Sequence, residues 1–264
     1  MTKEDCIKNN EWIYFKVYCN ELVSNKILKE IHLIYFTWEL NEEWFFLRYY
    51  DNYHHLRIRF KSIDKDIMKR FIEDIMRLKK KFNNCVHSVV LSDYKREVEK
   101  YDLFDYGTTE HLFYLDSNVF LQRHLELYRD NEKIVINVIS SFLFIKSSLK
   151  NNQLEIKQYI SQMENLFRVE FNPSKEMVKE LSNKYRDLSK NLLKNMKSLK
   201  DYDKRDKYIS QMYSNNNVPL DLNSCFISNH IHLNTNRMFS YNQRLYEFIT
   251  YTFLAKLIRT IYRN

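Results

Sequence analysis

The chain of 264 residues holds one glycine, Gly107, and two prolines, Pro173 and Pro219. Tight hairpins and flexible linkers draw on both residue types, so their scarcity points to a mostly helical chain with a few strands. The same scarcity excludes phosphate-cradling loops, which need several glycines so that backbone can approach a phosphate. Use of ATP or NAD is therefore not expected. Cys6, Cys19, Cys85 and Cys225 are scattered singly with no CxxC pair. That excludes a zinc ribbon and a disulfide scaffold and fits a reduced, cytoplasmic compartment. The start "MTKEDCIKNNEW" lacks an apolar signal core, and no run of about 18 apolar residues occurs anywhere, so neither an export signal nor a membrane span is expected.

What is present is a globular composition, 44% hydrophobic and 16% aromatic, with a net charge of +8. The charge favours acidic partners, nucleic acid or an anionic peptide alike. Much of it lies in "MKRFIEDIMRLKKKF" and "KNLLKNMKSLKDYDKRDK", where a solvated helix face is the plainer account. "EWIYFKVYC" alternates as a strand does, and "WFFLRYY" and "HHLRIRF" read as two more joined through a turn at Asp51 and Asn52. A helix with its capping residue at Asp64 follows, then a strand "HSVVLSDY". From about Thr108 the pattern is helical, with a long charged helix from Ser174 to roughly Ser214 and a final core helix "YNQRLYEFITYTFLAKLIRTIY". The expected class is α+β: a small mixed or antiparallel sheet near the N-terminal half and a mostly helical C-terminal half. No repeat or low-complexity linker divides the chain, so a single stand-alone domain over 1–264 is the expectation.

Three constellations could carry chemistry. In "HHLRIRF", period-two geometry puts Leu56, Ile58 and Phe60 on one face and His55, Arg57 and Arg59 on the other. Two guanidiniums fixed on a strand suit paired hydrogen bonds to carboxylates, although salt-bridged arginines on a solvated sheet face would look the same. In "SDYKREVEKYD", Tyr94, Glu97 and Lys100 follow a strand, and an ordinary surface ion pair between Glu97 and Lys100 is the plainer account. In "SNHIHLNTNRMF", an extended chain would align His230, His232, Asn234 and Asn236. A helix would instead place His232 with Asn236, and His230 with Asn234 and Arg237. His-x-His is a spacing that metal sites use, but a third protein ligand is missing, so no metal and no cofactor is expected. A histidine here suits general acid/base work. Ser117 has no glycine elbow, and Asp116 and Ser117 are expected at the start of a helix.

In this order, these segments resemble the C-terminal elimination domain of class I lantibiotic dehydratases, a family that also covers thiopeptide-type bacteriocin biosynthesis proteins. "EWIYFKVYC" is similar to its opening strand and "WFFLRYYDNYHHLRIRF" to its aromatic and arginine-bearing hairpin. "YKREVEKYD", "EHLFYLDS" and "SNHIHLNTNRM" are similar to three later boxes. Lys100 stands where the family usually has arginine, and "DLFDYG" replaces a Gly-Gly. The resemblance implies β-elimination: a serine or threonine of a ribosomally made precursor peptide, glutamylated by a separate glutamyl-tRNA-dependent subunit, loses glutamate to give dehydroalanine or dehydrobutyrine. By position it implies His232, Arg59, Lys100 and Glu97 as catalytic residues, and Arg57, His55, Tyr94 and Arg237 as substrate-binding ones. A family branch joins two dehydroalanines by a formal [4+2] cycloaddition instead. A non-catalytic subunit that captures an acidic leader peptide by strand addition is a further alternative. A homodimer or a complex with the glutamylating subunit is compatible with the sequence.

Overall fold

The computed structural model describes residues 12–37, 43–61, 65–96, 103–127, 129–198, 203–214 and 220–262. The chain divides into two compact units, Met1–Glu126 and Leu127–Asn264. The first runs β1 (Trp12–Cys19), α1 (Ser24–Thr37), β2 (Trp44–Tyr50), β3 (His54–Lys61), α2 (Lys65–Met76), a one-turn helix α3 (Leu78–Lys81) and β4 (Val86–Ser92). The strands form one sheet in the order β2-β3-β1-β4, antiparallel throughout. That order, with a helix after β1 and another after β3, is the split βαβ arrangement of ferredoxin-like folds. The expected α+β class and all four strands are therefore present. The position expected to cap α2, Asp64, lies outside the described residues.

Helix α1 is an element the sequence pattern did not disclose. It buries Ile27, Leu28, Ile31 and Tyr35, and the Asn20 side chain caps the turn before it by accepting the Leu22 N–H at 2.9 Å. Both α1 and α2 cover one face of the sheet. There Phe15, Val17, Trp44, Phe46, Leu56, Ile58 and Phe60 are buried. Trp44 stacks on Phe60 with ring centroids 5.2 Å apart, and Phe71 of α2 meets Phe60 edge-on at 4.4 Å. Each such side chain stabilises the fold by about 1.5–3 kcal/mol on burial.

Helix α4 (Tyr106–Val119) starts at Asp105, whose carboxylate accepts the Thr108 N–H at 2.9 Å, and runs into a π-helical turn, Phe120–His124. It packs along the edge strand β2: Phe113 lies 5.4 Å from Phe45, and Ser117 Oγ accepts the Phe46 N–H at 3.2 Å. Asp116 and Ser117 are thus buried late in a helix, not at the start of one. The physical reason is that Asp105 supplies the cap first, leaving Ser117 to satisfy a backbone donor that an edge strand would otherwise leave open.

The second unit is helical: α5 (Asp130–Ser148), α6 (Gln153–Phe171), α7 (Lys175–Ser198), α8 (Asp203–Ser214), α9 (Leu220–Met238) and α10 (Gln243–Ile261). The charged helix expected from Ser174 to Ser214 is described as α7 and α8. Asn172, in the left-handed region at φ 39°, ends α6 just before Pro173, where an asparagine tolerates the conformation and a proline prevents continuation. Helix α10 is buried on nearly every side. A polar network ties it to its neighbours: Asn137 of α5 donates to Thr235 of α9 at 3.0 Å and to Thr250 of α10 at 2.9 Å, while Asn234 donates to Asn137 Oδ1 at 3.1 Å. Among the described residues, no helix is long and apolar enough to cross a membrane.

Candidate functional site

The sheet face away from α1 and α2 carries the arginines. The register sets Arg59 between Tyr14 and Phe45, Arg57 between Lys16 and Leu47, and His55 between Tyr18 and Tyr49. The period-two reading of β3 therefore holds residue by residue. Arg59 is 7% exposed and enclosed by aromatic faces. Its guanidinium carbon lies 4.6 Å from the Tyr14 ring centroid, 4.6 Å from that of Tyr94 and 5.2 Å from that of Phe45. Cation–π contacts strengthen when water is excluded, so the rings fix the guanidinium plane. Burial pushes the Tyr94 and Tyr14 hydroxyls above their usual range, against the opposing pull of Arg59.

Arg57 is more open. It lies flat on Tyr49, 3.3 Å from the ring centroid, and its Nε donates to His55 Nε2 at 3.3 Å. His55 Nδ1 donates to the Tyr53 carbonyl at 3.1 Å, which leaves Nε2 as the acceptor. Burial holds His55 below the usual imidazole range, and the positive charges of Arg57 and Lys16 act in the same direction. His55 is thus a neutral prop for Arg57. Among the described residues, the two terminal nitrogens of Arg57 make no hydrogen bond, and they are the part of this face best placed to take an anion.

Two residues beyond Tyr94, Arg96 grips Glu110 with Nε on Oε1 and Nη2 on Oε2, both at 2.7 Å, while Trp12 Nε1 donates to Oε2 at 2.9 Å. This buried fork ties the chain after β4 to α4 and so places Tyr94 over Arg59. Arg48, which the sequence reading passed over, lies on the opposite face of the sheet. It is 2% exposed and donates to Ser24 Oγ and Asn25 Oδ1 of α1 at 2.5 Å each. The signal was an arginine at the apolar phase of a strand.

In the helical unit, "SNHIHLNTNRM" is helix, which decides between the two conformations left open. His230 stacks on Phe144 with centroids 4.0 Å apart, whereas His232 turns to α10, so the two do not form a ligand pair. Among the described residues, no group of three or more His, Cys, Asp or Glu could hold a metal ion. The His232 side chain is 45% exposed, and its Nδ1 lies 2.6 Å from Glu247 Oε1. Its Nε2 receives the Asn236 amide N–H at 3.0 Å. Glu247, 2% exposed, also accepts Arg244 Nη1 at 2.9 Å. Arg244 in turn forks onto Glu170 of α6 at 2.8 and 2.5 Å and lies over the Phe167 ring. Glu247 was missed by the sequence reading. The available signal was an acid inside a helix read as packing in the core, where burial demands a partner. Arg237 is 1% exposed within the helical unit. Its guanidinium is built into the core and does not present a surface to a ligand. Glu97 and Lys100 lie outside the described residues.

A family described as "Lantibiotic biosynthesis dehydratase C-term" matches residues 12–258. The chain is 24% identical over 188 residues to the subtilin biosynthesis protein SpaB of Bacillus subtilis, covering 67% of this chain and 18% of that protein. It is 29% identical over 161 residues to the nisin biosynthesis protein NisB of Lactococcus lactis subsp. lactis, covering 58% and 16%. The chain therefore spans less than a fifth of the length of these relatives. Among solved structures it is similar to the tRNA dependent lantibiotic dehydratase MibB from Microbispora sp. 107891, with a TM-score of 0.70 at 14% identity, over 97% of this chain and 29% of that one. It is also similar to TbtD, the pyridine synthase from thiomuracin biosynthesis, with a TM-score of 0.57 at 11% identity, over 96% and 99%. At these identities the structural likeness is one of fold.

Proposed function

The chain belongs to the lantibiotic dehydratase C-terminal family, and from that premise we propose that it is a lyase that removes glutamate from glutamylated serine or threonine in a ribosomal precursor peptide. The electrons of the Cα–H bond become the Cα=Cβ double bond as the Cβ–O bond breaks, and the oxygen leaves within the carboxylate of free glutamate. The reaction needs a base for the α-proton, positive charge near the developing enolate and a grip on the glutamyl carboxylate.

The observation that carries this reading is His232: part-exposed, with Nδ1 fixed by the buried Glu247 carboxylate so that Nε2 is the basic nitrogen. We assign the α-proton to it. Arg57 and Arg59 supply charge and forked hydrogen bonds for the glutamyl group, with His55 and Tyr94 holding them in place. Glu97 and Lys100 complete the assignment by their place in the sequence. The glutamylating activity belongs to a partner subunit, and the reducing cytoplasm is the compartment in which the reaction runs.

The test is mass spectrometry of a glutamylated precursor peptide incubated with the purified protein, beside His232→Ala and Arg59→Ala. Loss of glutamate by the wild type alone is the expected result. A glutamylated peptide left intact by the wild type overturns the reading. A second reading is favoured by the fold shared with the pyridine synthase TbtD: formal [4+2] cycloaddition between two dehydroalanines, for which a peptide already carrying both alkenes is the substrate to try.

A further inference from the structure

His232 has a partner on each ring nitrogen, and the two partners differ in kind. Glu247 can only accept, so Nδ1 carries a proton in every state of the ring. Glu247 is held in place by Arg244, which Glu170 clamps from the other side. Nε2 is the nitrogen whose protonation can change, and its partner is the Asn236 side chain, one helical turn on and 5% exposed. An amide can donate from one end and accept at the other. Its NH2 end faces Nε2 at 3.0 Å, while its Oδ1 is buried and makes no hydrogen bond among the described residues. A buried acceptor without a donor is unfavourable, so the observed orientation of the amide is not held by its far end.

We propose that Asn236 is a two-state latch on His232. With the ring neutral, the amide N–H donates into the Nε2 lone pair. The substrate Cα–H displaces the amide from that lone pair; once Nε2 has taken the proton it is a donor, and the amide comes back turned over about its terminal torsion so that Oδ1 accepts the new N–H. The proton comes from the substrate Cα and returns from Nε2 to water or to the departing carboxylate. The turnover pairs Oδ1 with the new N–H and moves the unpaired end of the amide to its NH2 side, so in each state the end that faces Nε2 is the one that can pair with it. Asn236 is a positioning residue, acting through His232. The charged groups around the ring are Glu247 and Arg244 from α10, with Glu170 of α6 behind them. The inference deepens the elimination reading and rests on His232 as its base.

The latch is tested by the residue type that can pair with one state only. Asn236→Asp offers acceptors alone, so it pairs with the imidazolium and holds the proton on Nε2. Asn236→Ala offers nothing and leaves the ring to water, and Asn236→Gln keeps both functions at a changed reach. The readout is 15N NMR of His232 in the full chain near neutral pH, assigned by its loss in His232→Gln, beside kcat and KM on the glutamylated peptide. In the wild type, Nδ1 is expected protonated and Nε2 bare. In Asn236→Asp both nitrogens are expected protonated, with kcat down about 100-fold and KM within a factor of two. Asn236→Ala is expected to keep the neutral tautomer and lose about 10-fold in kcat, part of which Asn236→Gln restores. A bare Nε2 in Asn236→Asp, or equal losses in the Asp and Ala variants, overturns the latch. If the wild type does not eliminate glutamate at all, the NMR arm alone decides the latch while the elimination reading falls, so the two failures are distinct. Should Asn236→Asp fail to fold, Glu247→Gln takes its place. A glutamine can donate to Nδ1, so both neutral tautomers are expected to appear, and an unchanged single tautomer overturns the assignment.

Discussion

Arg96 and Glu110 meet as two parallel forks, Nε on Oε1 and Nη2 on Oε2, each at 2.7 Å and with little of either side chain exposed. Removing one partner of such a pair strands the other charge in a dry setting. Glu110→Ala is therefore expected to lower the stability of the sheet unit by about 3 kcal/mol, read as a fall in the urea midpoint at unchanged slope. The double variant Arg96→Ala, Glu110→Ala should recover part of that loss. A Glu110→Ala midpoint equal to the wild type would show that the fork contributes nothing net.

Acid should weaken the same unit through His54. Burial, and then the Arg48 charge, push this imidazole down to about 4, while its Nδ1 donates to the Cys19 carbonyl at 3.2 Å. An unfolded histidine titrates near 6.5. Between those values the unfolded chain binds a proton that the folded chain refuses, so stability is full above about pH 6.5 and falls as pH drops toward 4, by roughly 3 kcal/mol across the window. His55 and His32 are lowered as well and add in the same sense. Urea titrations at pH 7.5 and 4.5 are to be compared for wild type and His54→Gln. A smaller pH difference in the variant is expected; equal differences would remove His54 from the account.

Arg59 is gripped by three rings and Arg57 lies flat on one, contacts that a guanidinium plane makes and a point-like ammonium makes poorly. On the elimination reading, Arg59→Lys is expected to lower kcat/KM by about 10- to 100-fold, the range of one charge-assisted hydrogen bond. Steady-state release of free glutamate measures it, and a lysine variant as fast as the wild type would show that charge alone suffices there.

Thiol chemistry separates two cysteines. Cys225 is exposed, whereas Cys19 is 2% exposed and burial pushes its thiol up to about 12. At pH 8 such a thiol is roughly one part in ten thousand thiolate, the reactive form. Alkylation followed by peptide mapping should mark Cys225 in the native protein and Cys19 after denaturation alone. Prompt native labelling of Cys19 would contradict the packing under β1.

The strand hairpin was legible because its periodicity is strong: Leu56, Ile58 and Phe60 against His55, Arg57 and Arg59 leaves a single register compatible with a buried face. Helix α1 was not, since its stretch "IHLIYF" is a dense apolar run, and such a run between aromatic strands fits helix and strand alike. The pairing of His232 with Asn236 could be read from an i, i+4 spacing once a helix was assumed. Its pairing with Glu247 could not, because no spacing rule relates residues on two helices. For the same reason the sequence disclosed two arginines on a strand face but not the ring of Tyr94 over one of them, which depends on the Arg96–Glu110 fork. Asp116 and Ser117 misled because capping residue types also serve as partners for an edge strand.

The strand order has a kinetic corollary. β2 and β3 are joined by the tight turn at residues 51–53 and can zip by themselves on the microsecond scale typical of hairpins. β1, made first, must wait for that hairpin before its central slot exists, and β4 closes on β1 only after α2. Every ladder that includes β1 is therefore a long-range pairing, so collapse of this unit should be gated by the docking of its earliest-synthesised strand and not by hairpin formation.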